Sequence, residues 1–150
     1  MATDSSFEET LSWWVLDLIE SSHLAKAGVS GLEEGFDSPS LRVLAGLEKS
    51  ESDRAEALLR QAAIELGVNV PDRPDAAKHL ARRLSERILR GELDAFDGAR
   101  RLAEISLAVE SANFHDLDVF VYADSEAEDR PEDQALFLET ILSEAHRWAR

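Results

Sequence analysis

Acidic side chains are concentrated between residues 116 and 133, where they could serve metal binding or protein recognition. The carboxylates there are Asp116, Asp118, Asp124, Glu126, Glu128, Asp129, Glu132 and Asp133. The alternation Asp124-x-Glu126-x-Glu128 is typical of the start of a calcium loop. Such a loop needs glycine at its sixth position and glutamate at its twelfth, where this chain has Asp129 and Ala135. The pattern therefore favours either a solvated acidic edge or a docking surface for a basic partner.

The spacing of the four histidines gives little support for zinc binding or for proton transfer. None forms a zinc-type pair, and only His115-Asp116 places a carboxylate beside an imidazole that could transfer protons. A surface histidine followed by a helix-capping aspartate is by far the commoner explanation of that pair. The chain has no cysteine, no G-x-S-x-G turn, no Walker loop and no dinucleotide fingerprint. The sequence predicts no catalytic residue, no metal ligand set, no cofactor and no enzymatic activity.

Charge is distributed unevenly along the chain. The formal net charge of −15 divides into −8 over residues 1–71, +2 over 72–101 and −9 over 102–150. Such a field attracts basic proteins and repels nucleic acid and anionic lipid. We therefore expect a basic partner protein and no direct binding to nucleic acid or membrane. The arginines of the middle stretch are expected to pair with the chain's own acidic edges.

The elements that must position these side chains have the apolar spacing of helices. Stripes at i, i+3, i+4 and i+7 predict a first helix that ends at Gly28, then a glycine-rich connector over 28–35. Further helices are predicted after Ser38-Pro39, Ser52, Pro74, Asp94 and Pro131. Residues 117–123 fit either a helix or a strand, and we favour a helix because a lone strand would lack a pairing partner. The prediction is an all-α, single-domain bundle of about six helices with short loops, formed by residues 1–150.

The predicted first helix has apolar residues on two sides. Trp13 and Leu16 lie roughly opposite the stripe that contains Phe7, Leu11 and Leu18, at about 100° per residue. A helix at the centre of the bundle would show this pattern. So would a helix that presents Trp13 to a partner, since tryptophan is enriched at interface hot spots.

Two functional hypotheses follow from these patterns. The first is an acidic protein-binding module, comparable to immunity proteins and inhibitors, that docks a basic partner. Its electrostatic residues would be Asp116, Asp118, Asp124, Glu126, Glu128 and Asp129, with Trp13 or Tyr122 as the aromatic anchor. The alternative is a structural or regulatory subunit of a bacterial complex that forms homo-oligomers through Trp13, Leu16 and Leu24. The chain shows no signal peptide or membrane span, so we expect a cytoplasmic location.

Overall fold

The computed structural model describes residues 6–110 and 113–150, and this part of the chain contains helices and no strand. The all-α class is confirmed, whereas the expected count of about six helices is too low. Eight α-helices are present in the described residues: α1 Ser6–Val15, α2 Leu24–Glu33, α3 Pro39–Ala45, α4 Ala55–Leu66, α5 Arg73–Leu89, α6 Ala95–Ala108, α7 Asp118–Asp129 and α8 Gln134–Trp148. Internal contacts divide the chain into an N-terminal unit, residues 1–72, and a C-terminal unit, residues 73–150. The single domain over 1–150 stays a prediction.

The first helix is shorter than its apolar stripe predicts. It ends at Val15, and Asp17 adopts the left-handed conformation with φ of 58°. The Leu18 amide donates to the Trp13 carbonyl at 3.0 Å, and the Asp17 amide donates to the Trp14 carbonyl at 3.0 Å. These two bonds form a Schellman ending, in which aspartate replaces the usual glycine. The predicted helix to Gly28 is therefore wrong, and α2 is a separate element.

The predicted glycine connector over 28–35 is also wrong, because α2 continues through Glu33. Its glycines have a packing role. A Cβ atom built on Gly28 would lie 2.7 Å from the backbone nitrogen of Ala45 in α3. Gly31 packs in the same way against the side chains of Leu41 and Phe7. Small residues on α2 thus allow α2 and α3 to approach closely in the N-terminal unit.

Several predicted helix ends are confirmed. The hydroxyl of Ser38 accepts from the Leu41 amide at 3.2 Å and caps α3, with Pro39 in the first turn. The carboxylate of Asp94 accepts from the amides of residues 96 and 97 and caps α6. Gly67 ends α4 in the left-handed conformation, with φ of 68°. Residues 118–129 form α7, which confirms the helical interpretation of 117–123.

A carboxylate on α4 makes the stability of the N-terminal unit depend on pH. Glu65 accepts from the Ser40 amide at 3.0 Å and from the Ser40 hydroxyl at 2.7 Å. These hydrogen bonds lower the pKa of Glu65 from 4.5 to about 2. A carboxyl with a lowered pKa stabilises the fold fully above its unfolded pKa and loses that contribution as pH falls through the folded one. The contribution of Glu65 is therefore lost between pH 4.5 and about 2.

We expect Glu65→Gln to lower the melting temperature at neutral pH and to change it progressively less as the pH falls toward 2. Thermal unfolding of the wild-type and variant proteins over this pH range measures the effect. Ser40→Ala, which removes the hydroxyl donor, should reproduce part of it. A melting difference that stays constant down to pH 2 would contradict this assignment.

The C-terminal unit consists of α5 to α8 around a core of aromatic and aliphatic side chains. Phe120 of α7 and Phe137 and Ile141 of α8 are fully or almost fully buried, as are Leu84 of α5 and Ile105 of α6. Pro131 opens a 3-10 turn, Pro131–Asp133, that leads directly into α8. This short connection brings the end of α7 next to the start of α8, where the acidic run identified above lies.

Candidate functional site

The acidic run falls on α7, whose two faces differ sharply. Phe120, Ala123 and Ala127 face the core of the C-terminal unit. Asp118, Tyr122 and Asp129 lie on the opposite side, within about 40° of one another at 100° per residue. All three are exposed, and Glu126 lies at their edge. We call Asp118, Tyr122, Glu126 and Asp129 the α7 acidic row.

The other predicted carboxylates do not join this row. At 100° per residue, Asp124 lies at least about 120° around α7 from every member of the row, and the exposed Glu128 lies about 80° from Asp118, on the side away from Glu126. Partial burial raises the pKa of Asp124, with Arg100 of α6 opposing the rise and Glu128 adding to it. Asp116 precedes α7 and lines a polar cleft of about 500 Å³ together with arginines of the C-terminal unit. The predicted acidic residues therefore divide between one exposed row and separate positions around it.

Tyr122 is held in place by the start of the next helix. Its ring makes an edge contact with Phe137, with 6.1 Å between the ring centroids, and 53% of the residue remains exposed. The guanidinium of Arg130 lies 5.4 Å from the centre of the Phe137 ring. Arg130 also pairs with Asp133 and, at 4.0 Å, with Glu126. The hydrogen bond to Asp133 raises the pKa of Arg130, which stays charged beside the row.

Two of the residues predicted for a partner surface in the N-terminal region lie in the core instead. Leu16 is 1% exposed and Leu24 is fully buried. The predicted surface of Trp13, Leu16 and Leu24 required one continuous helix. Instead, α1 ends at Val15, and Asp17 adopts the left-handed conformation. Neither leucine is exposed to a partner in this structure, and partner binding through Leu16 and self-association through this face stay predictions. Trp13 is partly exposed, and its indole nitrogen donates to Glu9 at 3.4 Å.

Three arginines of residues 72–101, Arg83, Arg90 and Arg100, form ion pairs with carboxylates of their own segment. Glu86 pairs with Arg83 at 3.4 Å and with Arg90 at 3.1 Å. Arg100 pairs with Asp97 at 3.7 Å. In the α7 acidic row, by contrast, Asp118 lies 3.6 Å from His115, and the other ion pair is the long one between Glu126 and Arg130. Asp118 also lines the polar cleft that contains Arg82, Arg147 and Arg150, while Tyr122 and Asp129 are exposed farther along α7.

A cleft in the N-terminal unit was not predicted from the sequence. Trp14 donates from its indole nitrogen to Glu56 at 3.2 Å, and the guanidinium of Arg60 lies 5.1 Å from the indole ring centre. The cleft, of about 490 Å³, is closed on its other side by Val70 and Pro71. Glu56 and Arg60 are more than 40 positions from Trp14. No local spacing could have joined these residues, because α4 brings them together only in the folded chain.

A groove between α6 and α7 was also missed. Ala103 and Leu107 of α6 form one wall, and Phe114 and Val121 contribute the facing apolar surface. Glu110 and Asp118 lie at its edge, and its volume is about 340 Å³. The cap at Asp94 predicted α6 but not which residues of that helix would be buried. It did not predict Leu107, which lies outside the buried face of α6.

These surfaces combine charged side chains with exposed apolar ones. Within residues 6–110 and 113–150, no three His, Asp or Glu side chains are arranged to hold a metal ion. Nor does any helix in those ranges combine the length and apolar character needed to cross a membrane. No protein-family model, curated protein or solved structure significantly matches this chain.

Proposed function

We propose that this protein is a non-enzymatic acidic module that binds a basic partner protein through the α7 acidic row. One observation carries the proposal: a single exposed helix face presents Asp118 and Asp129 on either side of the half-exposed Tyr122. Carboxylates attract a basic surface, and a fixed aromatic ring supplies the apolar anchor that interface hot spots commonly have. Immunity proteins and inhibitors of nucleic-acid-binding enzymes use the same physics.

The charge of the surrounding chain supports this choice of partner. Residues 102–150 carry a formal charge of −9, and two arginines of the preceding stretch, Arg90 and Arg100, pair with carboxylates of their own segment. A surface of this sign attracts cationic proteins over distances near the Debye length, about 8–10 Å at physiological salt. Nucleic acid would be repelled by the same field.

We expect Asp118→Asn, Glu126→Gln and Asp129→Asn, combined in one protein, to weaken partner binding by about tenfold at low salt, because three attractive rim charges are lost. The tagged wild-type protein and the triple variant would each be used to capture partners from a lysate of the source cell. Elution with a gradient from about 0.05 to about 0.5 M NaCl measures the salt dependence of the complex. The basic partner should leave the variant at lower salt than it leaves the wild type.

A matched control separates the effect of the row from the effect of net charge. The combined substitutions Glu20→Gln, Glu33→Gln and Asp53→Asn also remove three negative charges, but from exposed positions of the N-terminal unit. This control should retain the partner at nearly the wild-type salt concentration. Equal losses in both triple variants, or a complex that salt does not weaken, would contradict the proposed site.

A further inference from the structure

The groove between α6 and α7 is an apolar surface that adjoins the α7 acidic row. Its walls are Ala103 and Leu107 on one side and Phe114 and Val121 on the other. Leu107 is 69% exposed, although it borders other apolar side chains. A large aliphatic side chain left in water beside an apolar floor gains stabilisation when a further apolar group covers it.

The dimensions of the groove suit a helical segment. Ala103 and Leu107 are spaced i and i+4, about 6 Å or one helical turn along α6, and Glu110 follows two residues after that helix ends. A groove between two helices accepts the apolar face of a third, with anchors at the same spacing. A volume of about 340 Å³ is sufficient for a few aliphatic side chains.

Charge at the edge of the groove determines which helix fits. Glu110 and Asp118 are exposed at the edge, and Asp118 also belongs to the α7 acidic row. An occupant therefore needs cations beside its apolar anchors. A second copy of this chain, with its own charge of −15, would be repelled, as would an anionic lipid surface.

We propose that the α6–α7 groove binds an amphipathic basic helix of the partner, whose aliphatic face covers Leu107 and whose lysines or arginines pair with Glu110 and Asp118. This inference rests on the proposed function and adds the form of the segment that is recognised. The acidic row attracts the partner's basic surface, and the groove selects a helix with one apolar side.

Two synthetic peptides of identical composition test the inference on the full chain. One peptide, of about 14 residues or four turns, places leucines on one helical face and lysines on the other. The second contains the same residues with the leucines distributed around the helix. We expect the first peptide to bind about tenfold more tightly, because only it can bury its leucines together in the groove. Titration calorimetry gives the two dissociation constants.

Variants at the groove test whether Leu107 causes the preference for the amphipathic peptide over the scrambled one. Leu107→Ser should remove the roughly tenfold preference for the amphipathic peptide. Leu107→Met should retain most of it, since methionine preserves the apolar contact. Ile64→Ser is the matched control, because Ile64 is also 69% exposed but lies on α4 of the N-terminal unit. It should leave both dissociation constants unchanged.

The outcomes separate this inference from the proposed function. Equal binding of both peptides, weakened by salt and by the triple variant of the acidic row, would overturn the groove assignment and leave the row intact. Binding of neither peptide would overturn the groove assignment, and the salt elution of the row variant and its control would still decide the proposed function. A concentration-dependent dimer that Leu107→Ser abolishes would identify a second copy as the occupant and also overturn the inference.

Discussion

Replacing Gly28 with valine should destabilise the N-terminal unit by about 3 kcal/mol, the upper end of the cost of overpacking a tight contact. Any Cβ at this position lies 2.7 Å from the backbone nitrogen of Ala45 and 3.0 Å from its Cα atom. A flexible side chain could rotate away from such a contact, but backbone atoms can only move with the whole of α3. Gly98 differs in this respect, because a Cβ there would meet Ile88 Cδ1 at 2.5 Å, the end of a mobile side chain.

Thermal and chemical unfolding of Gly28→Val would measure this effect. Gly28→Ala should destabilise as well, even though alanine is favoured over glycine in a helix by about 1 kcal/mol. Gly46→Ala is the control, since a Cβ on Gly46 has no neighbour closer than 3.7 Å. An unchanged melting temperature for Gly28→Val would show that α2 and α3 do not approach as closely as described.

Truncating Phe120 to alanine should cost the C-terminal unit about 3–5 kcal/mol, the usual penalty for removing a buried aromatic side chain. Phe120 is fully buried on the inner face of α7, two residues from the half-exposed Tyr122. Because this ring fixes α7 to the core, the variant should also lose the α7 acidic row and its partner binding. Amide hydrogen exchange along α7 and α8 would report the loss of protection.

Tyr122→Ala is the matched variant on the outer face of α7. Tyr122 is 53% exposed, so its truncation should change the free energy of unfolding by no more than about 1 kcal/mol. It should nevertheless weaken partner binding by about tenfold, because the aromatic anchor is gone. If Tyr122→Ala destabilised the unit as much as Phe120→Ala, the tyrosine would be a core residue, and its role in binding would be refuted.

Much of the fold could be predicted because helix formation leaves a local signal. The apolar stripes of α4, α5 and α8 and the caps at Ser38 and Asp94 are local signals, whereas residues 117–123 of α7 fitted a helix or a strand equally. The end of α1 at Val15 could not be predicted from such local signals. Its left-handed residue is Asp17 rather than glycine, and the apolar stripe continues past it into Leu18 and Ile19.

The glycines of α2 were predicted as a loop for a related reason. In the sequence alone, the spacing of Gly28 and Gly31 is typical of a loop. In the fold they are helical and buried, and the absence of a side chain serves a contact with α3 that is distant in sequence. The local sequence pattern cannot distinguish a loop glycine from a glycine at a helix contact, because the residue that Gly28 contacts, Ala45, lies 17 positions away.

The candidate site was partly predictable for the same physical reason. Once residues 118–129 are helical, the spacing of Asp118, Tyr122 and Asp129 places them on one face. The predicted surface of Trp13, Leu16 and Leu24 assumed one continuous helix, whereas α1 ends at Val15 and both leucines are buried. The α6–α7 groove depends on how two helices pack, and neither helix encodes it alone.

The position of Arg130 has a consequence for the entropy of recognition. By stacking on Phe137 and pairing with Asp133 and Glu126, this arginine ties the last turn of α7 to the first residues of α8. The row is therefore ordered before any partner arrives, and complex formation does not have to supply the conformational entropy of folding a helix. Under the proposed function, salt would then act mainly on the association rate, and the loss of Tyr122 would act mainly on the dissociation rate.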